Sequence, residues 1–347
     1  MHGFGIAGTG IIASTHAQAV ARLGNARLVA VTDVSADTAG RFAERHGCVA
    51  MPDLDALLAR DDVDVVSVCV PSGLHAEIGI RAAAAGKHLV IEKPIDVTLA
   101  AADRLTEAAE AAGVKLTVIS QHRFDPGLLE LKNLAGTGAL GRLLLGEAST
   151  KWYRSQAYYD SAAWRGTEAL DGGSLMNQGI HYADLLLWAM GPVAEVTAFT
   201  ATQAHAMEAE DVALALLTFR SGALGTLVSS TSVFPGFAQR LEITGTGGTI
   251  VVTDGQITSR GLAGKDGHPP GSAGDPAVAA GASTPLIGAA SHAAQLADLL
   301  AAIDEGREPA VTGADGRACL ELVLAVYEAA RTGGPVTLPL RIGPDIR

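Results

Sequence analysis

Aromatic residues and cations are scarce in this chain, and cysteine is scarcer still. Phe, Trp and Tyr make up 4% of its 347 residues, and 25 Lys plus Arg stand against 37 Asp plus Glu, for a net charge of -12. Without a basic stripe, that acidic surface repels a phosphate backbone, so nucleic acid and anionic membranes are poor partners. Cys48, Cys69 and Cys319 are odd in number and lack CxxC spacing. They offer neither a disulfide framework nor a thiolate zinc site, and suit a reducing cytoplasm. No run approaches the roughly 18 apolar residues needed to span a bilayer, and Met1-His2-Gly3-Phe4 has no basic start before an apolar segment. A soluble, cytoplasmic protein that is not exported is expected. The ten histidines show no ligand cluster along the sequence, so no metal is expected.

What is abundant is apolar surface, at 48% of residues. That is enough to offset backbone entropy and exclude disorder, and at roughly 150 residues per domain the length implies two domains. Up to about residue 120, short apolar runs (Phe4 to Ala7, Arg27 to Thr32, Val63 to Val70, His88 to Ile91, Val114 to Ile119) alternate with Ala-rich helical stretches, one of them closed by Gly86. This alternation predicts a doubly wound parallel sheet, an α/β Rossmann domain over residues 1–122. After Arg123 the strands become longer and alternate in polarity: Leu143 to Tyr153, Val193 to Thr202, Val212 to Arg220, Gly222 to Thr231, Arg240 to Gly245 and Gly248 to Thr253. They predict an α+β domain over 123–347, with a mostly antiparallel meander and helices on one side. Gly261 to Ala290 reads as a surface excursion, and Ser291 to Glu305 and Gly316 to Thr332 as helices.

The first strand runs into Gly5-Ile6-Ala7-Gly8-Thr9-Gly10-Ile11-Ile12-Ala13, a match to the G-x-G-x-x-G/A dinucleotide fingerprint. Gly8 permits the tight turn, Gly10 leaves room for a pyrophosphate, and Ala13 lets the helix sit close to the sheet. Asp33 ends the second strand, where a carboxylate can accept from an adenosine ribose; Val34, Ser35 and Ala36 bring no cation for a 2'-phosphate, so NAD is preferred over NADP. Ligands of such sheets sit beyond the carboxyl ends of the strands, where Pro71-Ser72-Gly73-Leu74-His75, Glu92-Lys93-Pro94 and Gln121-His122-Arg123 fall. Pro71, Ser72, His75, Glu92, Lys93 and Gln121 therefore join Thr9, Ile11 and Ile12 as candidate cofactor contacts. From the residues alone, Lys93 reads equally as a solvated strand-end lysine, and His75 as a plain helix-start histidine.

Ser174 to Met190 reads as a largely buried helix that Ser174 can cap and Gly191-Pro192 stops. Asn177, His181 and Asp184 stand out on it at i, i+4 and i+7, on one stripe that is either functional or a narrow solvated face. Trp152, Trp164 and Trp188 and four of the five tyrosines, Tyr153 among them, lie between 152 and 188. Aromatic faces suit the C–H surface of a sugar ring, though core or interface packing would use them equally. Lys151, Arg154 and Arg165 would favour a carboxylate or phosphate on such a substrate.

Taken together, Gly8-Thr9-Gly10, Asp33, the run Ala85-Gly86-Lys87-His88-Leu89-Val90-Ile91-Glu92-Lys93-Pro94, Arg123-Phe124-Asp125-Pro126, and Gly172-Gly173 leading to Gly179-Ile180-His181 resemble the Gfo/Idh/MocA oxidoreductase family. The resemblance covers nearly the whole chain. It implies a nicotinamide-dependent dehydrogenase of sugars or cyclitols, with Lys93 and His181 catalytic and an open sheet face that builds a homodimer or homotetramer; in that chemistry Asn177 and Arg123 are expected to position the substrate. Many members carry Asp four residues before the histidine, where this chain has Asn177. Trp164-Arg165-Gly166-Thr167 and Asp171-Gly172-Gly173 look like a branch that includes nucleotide-sugar 3-dehydrogenases acting on an N-acetylglucosaminuronate. Relatives that cleave glycosides with NAD, or that sense sugars without chemistry, are the other classes the resemblance allows.

Overall fold

The computed structural model describes residues 1–262 and 288–340, which form two compact units. In the first unit, strands β1 (His2–Ala7), β2 (Ala26–Thr32), β3 (Val49–Ala50), β4 (Val65–Val68), β5 (His88–Ile91) and β6 (Leu116–Val118) alternate with helices α1 (Ile11–Val20), α2 (Ala36–His46), α3 (Leu54–Leu58), α4 (His75–Ala84) and α5 (Leu99–Ala112). All neighbours pair in parallel, in the order β3-β2-β1-β4-β5-β6. This is the doubly wound sheet that the apolar runs predict. Its strand order reverses between β1 and β4, so their carboxyl ends, including Gly8 to Gly10, open at the switch point.

The second unit begins at His122 with α6 (Pro126–Gly136), β7 (Leu143–Lys151), α7 (Gln156–Tyr159) and α8 (Ile180–Met190). Strands β8 (Val193–Ala201), β9 (Val212–Phe219), β10 (Leu224–Ser230), β11 (Arg240–Gly245), β12 (Gly248–Thr253) and β13 (Gln256–Leu262) follow. The sheet is mostly antiparallel but not the expected meander. Strand β7 lies between β10 and β11 and runs parallel to β10, Leu145 facing Leu224 and Ser149 facing Val228. Strand β13, absent from the sequence reading, forms the edge; its burial pattern is almost wholly exposed, which is why no alternation announced it. The helix expected over Ser174 to Met190 is also interrupted, since Leu175–Gly179 forms a π turn before α8 begins.

Of the excursion expected over 261–290, residues 263–287 lie outside the described residues. Helices α9 (Ala289–Glu305) and α10 (Gly313–Thr332) and the short β14 (Val336–Thr337), paired with β8, complete the described chain. The single cut at 122/123 needs correction here, because α9 and the residues up to Ala318 belong to the first unit. The cause is packing. Leu296, Leu299 and Leu300 are fully buried in one cluster with Phe4, Val20, Val65, Val90 and Ile119, and each such leucine contributes about 1.5–3 kcal/mol. Gln295 accepts from Ser120 N at 3.0 Å and donates to Val118 O at 2.8 Å, closing the end of β6.

Candidate active site

The cofactor end of the first unit is built by what it leaves open. Gly8 has φ +88°, and a Cβ there would stand 2.6 Å from Cys69 O, so only glycine makes the turn. Beyond it, Gly10 faces open space, and Ile11 is 81% exposed. Side chains cap the other helices between the parallel strands: Ser35 on α2, Asp53 on α3 and Thr98 on α5, with Asp96 accepting from Ala76 N in the first turn of α4. Helix α1 has neither a side-chain cap nor an acidic residue in its first turn. Bare first-turn N–H groups behind a glycine form an anion site, and a pyrophosphate fits it.

Asp33 stands beside that turn. Its Oδ2 accepts from Thr9 N at 2.7 Å and Thr9 Oγ1 at 2.9 Å, and Oδ1 accepts from Ser35 N at 2.9 Å. These bonds aim the carboxylate and leave it lone pairs for a ribose hydroxyl. At the neighbouring strand ends, Pro71 leads into a short turn that buries Ser72, and Gln121 is 4% exposed with an Oε1 that lacks a hydrogen-bond partner among the described residues. An orphaned buried acceptor is what a donor group on a bound cofactor would satisfy.

Two of the expected cofactor contacts, His75 and Glu92, have partners within the chain. His75 is 1% exposed, with Nδ1 2.7 Å from Pro94 O and Nε2 2.9 Å from Val70 O, so it ties the Lys93-Pro94 turn to the end of β4. Glu92 turns inward: Oε1 lies 2.8 Å from His16 Nε2, and Oε2 accepts from Lys93 N at 3.1 Å. Burial alone would raise its pKa, but the hydrogen bond and charge of His16, helped by Lys93 and His292, bring it well below the ordinary carboxylate range.

In the second unit, partners outside the helix cap the start of the π turn. Ser174 does not cap; its hydroxyl lies 2.7 Å from Ser229 Oγ, and the capping falls to Glu210, whose backbone carbonyl accepts from Ser174 N at 2.8 Å and whose Oε1 accepts from Leu175 N at 2.7 Å. Tyr327 on α10 accepts from Met176 N at 3.2 Å and donates to Glu210 Oε1 at 3.2 Å. These partners satisfy the first-turn N–H groups of a π turn, a form frequent at functional sites. Asn177 rides on it and donates to Asp171 Oδ1, while Asp171 Oδ2 accepts from Gly166 N at 2.7 Å. A carboxylate therefore stands behind Asn177 although the residue itself is neutral.

His181, half-buried on α8, packs perpendicular to His122 with ring centroids 5.3 Å apart, and His122 Nδ1 lies 2.7 Å from Asp125 Oδ2. His122 and Asp125, visible in the sequence only as parts of longer runs with no role of their own, thus stand beside His181. Arg123, expected to position substrate, is buried in an ion pair. It is 6% exposed and donates from Nε and NH2 to Asp184 at 2.8 and 2.6 Å, so the third member of the proposed stripe anchors it inside the unit. Tyr153 is 41% exposed and packs edge-on against Phe234, whereas half-buried Arg165 stacks on Tyr158 and Trp164 at 4.4 and 4.5 Å and donates to Tyr158 OH at 2.7 Å.

Comparison with known proteins adds to this geometry. Residues 2–120 match the model of an oxidoreductase family with an NAD-binding Rossmann fold, and residues 128–251 match the GFO/IDH/MocA C-terminal domain. The chain is 29% identical to an inositol 2-dehydrogenase of Rhizobium meliloti over 94% of this chain and 96% of that one. It is 30% identical to a myo-inositol 2-dehydrogenase of Thermotoga maritima over 73% and 78%. Among solved structures it is similar to the WlbA dehydrogenase of Bordetella pertussis, crystallised with NADH and UDP-GlcNAcA, with 32% identity, a TM-score of 0.87, and coverage of 98% of this chain and 99% of that one. Among the described residues, no helix is long and apolar enough to cross a membrane.

Proposed function

This chain belongs to the Gfo/Idh/MocA family of oxidoreductases, with an NAD-binding Rossmann domain, and from that premise we propose how its residues divide the chemistry of a sugar or cyclitol dehydrogenase. The observation that carries the reading is the bare start of α1 behind Gly8-Thr9-Gly10, with Asp33 held beside it. Bound NAD supplies the hydride acceptor. Gly8, Thr9, Gly10, Ile11 and Ile12 receive its phosphates, Asp33 its ribose, and Pro71, Ser72 and Gln121 line the strand ends. Val34, fully exposed after Asp33, offers no cation to a 2'-phosphate, which favours NAD over NADP.

Oxidising a secondary alcohol requires its hydroxyl proton to leave as the hydride departs. His181 takes that proton, and Lys93 stabilises the developing alkoxide. Asn177, oriented by Asp171, positions the substrate hydroxyl, and Tyr153, Trp164 and Arg165 meet the rest of the substrate. A nucleotide sugar bearing a carboxylate, of the UDP-N-acetylglucosaminuronate type, is the second reading; Arg154 and Arg165, held among aromatic rings, favour it. Retention of Lys93 and His181 speaks against a sensor without chemistry, and accumulation of NADH would separate oxidation from glycoside cleavage.

The test is NADH formation from a panel of sugars, cyclitols, uronates and nucleotide sugars. On whichever substrate responds, His181→Ala and Lys93→Met should lower kcat about 10²–10⁴-fold with NAD affinity retained. Unchanged turnover would refute the roles. For assembly, Phe199 and Leu214 sit opposite each other across β8 and β9, and with Leu216 and Leu224 they expose an apolar face at 45–72%. That face is proposed to pair copies of the chain as a homodimer or homotetramer in the cytoplasm. Phe199→Asp should yield monomers by sedimentation; an assembly untouched by it would remove the face from consideration.

A further inference from the structure

The first unit holds a buried charged cluster that no step above uses. His16 on α1, Glu92 after β5 and His292 on α9 are 0%, 5% and 1% exposed, and one donor atom from each lies within 4.8 Å of the others. No spacing along the chain revealed this trio. Its donor types would suit a transition metal, but His16 Nε2 stands 2.8 Å from Glu92 Oε1. Two ligands about 2.0–2.1 Å from one tetrahedral ion keep roughly 3.3 Å apart. The geometry is that of a hydrogen-bonded ion pair.

Burial works against charge on His16, but Cys69 and Glu92 beside it outweigh burial and hold its pKa well above the ordinary value. Cys69, Glu92 and His292 are the titratable groups that face it; burial pushes the Cys69 thiol up, while the charge and hydrogen bond of His16 pull it down. An imidazolium and a carboxylate thus oppose each other throughout the neutral range. The other carboxylate oxygen of Glu92 accepts the main-chain N–H of Lys93.

We infer that His16 is a positioning residue for Lys93: carried on the helix whose start receives the cofactor, it holds the Glu92 carboxylate, which fixes the Lys93 main chain and thereby aims the ammonium. The inference rests on the proposed role of Lys93. It ties the placement of the lysine to the same helix that binds the cofactor phosphates, and α9 completes the enclosure with His292, edge-on to His16 at 5.6 Å.

Three variants of the full chain test it: His16→Leu, which removes the donor, His16→Gln, whose amide can replace Nε2–H, and Glu92→Gln, which keeps an acceptor for Lys93 N but removes the charge. Each is measured for kcat, KM and NAD affinity. The Lys93 ammonium is titrated by NMR after reductive ¹³C-methylation of the lysines, its signal identified by its loss in Lys93→Met. His16→Leu should cut kcat about 10-fold or more with KM and NAD affinity nearly unchanged, and His16→Gln should recover most of that loss. Glu92→Gln should lower the pH at which Lys93 titrates, because a neighbouring anion is gone. A native kcat in His16→Leu, or a Lys93 titration indifferent to Glu92→Gln, would overturn the inference. So would one equivalent of zinc copurifying with the wild-type protein and absent from His16→Leu. The NMR titration needs no substrate, so failure of the dehydrogenase reading would be seen separately in the wild-type panel. If His16→Leu does not fold, His16→Gln and Glu92→Gln still decide.

Discussion

Glu92 and Glu210 are both buried glutamates that hold a main-chain N–H beside a proposed site residue, yet their environments drive them in opposite directions. Glu92 meets an imidazolium and falls well below the usual carboxylate range. Glu210 meets only neutral donors, the Leu175 N–H and the Tyr327 hydroxyl; burial dominates and, with Asp211 adjacent, raises its pKa to about 7. A buried carboxylate keeps its charge where a full cation faces it and tends to lose it where dipoles alone do. The two units thus frame their site turns by different means, a fixed ion pair in one and a proton-dependent carboxyl in the other.

The sharpest way to break the comparison lies in the second unit's own ion pair. Arg123→Met leaves Asp184 buried without its guanidinium and should cost about 3–5 kcal/mol of stability in chemical denaturation. Arg123→Met/Asp184→Leu should regain much of the loss. A large rise in KM with intact stability would instead return Arg123 to the substrate.

Glu210 comes next. Because its folded pKa lies above its ordinary 4.5, the folded state retains a proton that the unfolded chain releases. Its contribution is full below about pH 4.5 and is lost as pH rises to about 7, by about 3 kcal/mol at most. Glu210→Gln should flatten that part of the stability profile measured by thermal or urea unfolding; a slope equal to the wild type would show that the carboxyl does not titrate there. The smallest effect is expected from Tyr327→Phe, which removes two hydrogen bonds at about 1 kcal/mol each, with the slope retained.

The same contrast explains what could be read from sequence. The parallel sheet, Gly8 to Gly10 and Asp33 were legible because strand periodicity, a φ that only glycine tolerates and a strand-end carboxylate are local signals. His181 was placed on its helix correctly. The π turn beneath Asn177 was not foreseen, and the groups that cap it, Glu210 and Tyr327, are distant in sequence and themselves unremarkable there. The pairing of Arg123 with Asp184 was hidden for the opposite reason: Asp184 was read as a member of the functional stripe. The parallel insertion of β7 and the edge strand β13 escaped because neither strand order nor an exposed edge leaves a periodic trace.

The return of α9 to the first unit bears on how the protein is made. The face of the parallel sheet formed by Phe4, Val65, Val90 and Ile119 emerges early from the ribosome, but Leu296, Leu299 and Leu300, which cover it, are translated long afterwards. Until they arrive, the nascent coenzyme domain carries an uncovered apolar surface, an invitation to chaperones and a hazard for any fragment cut at residue 122.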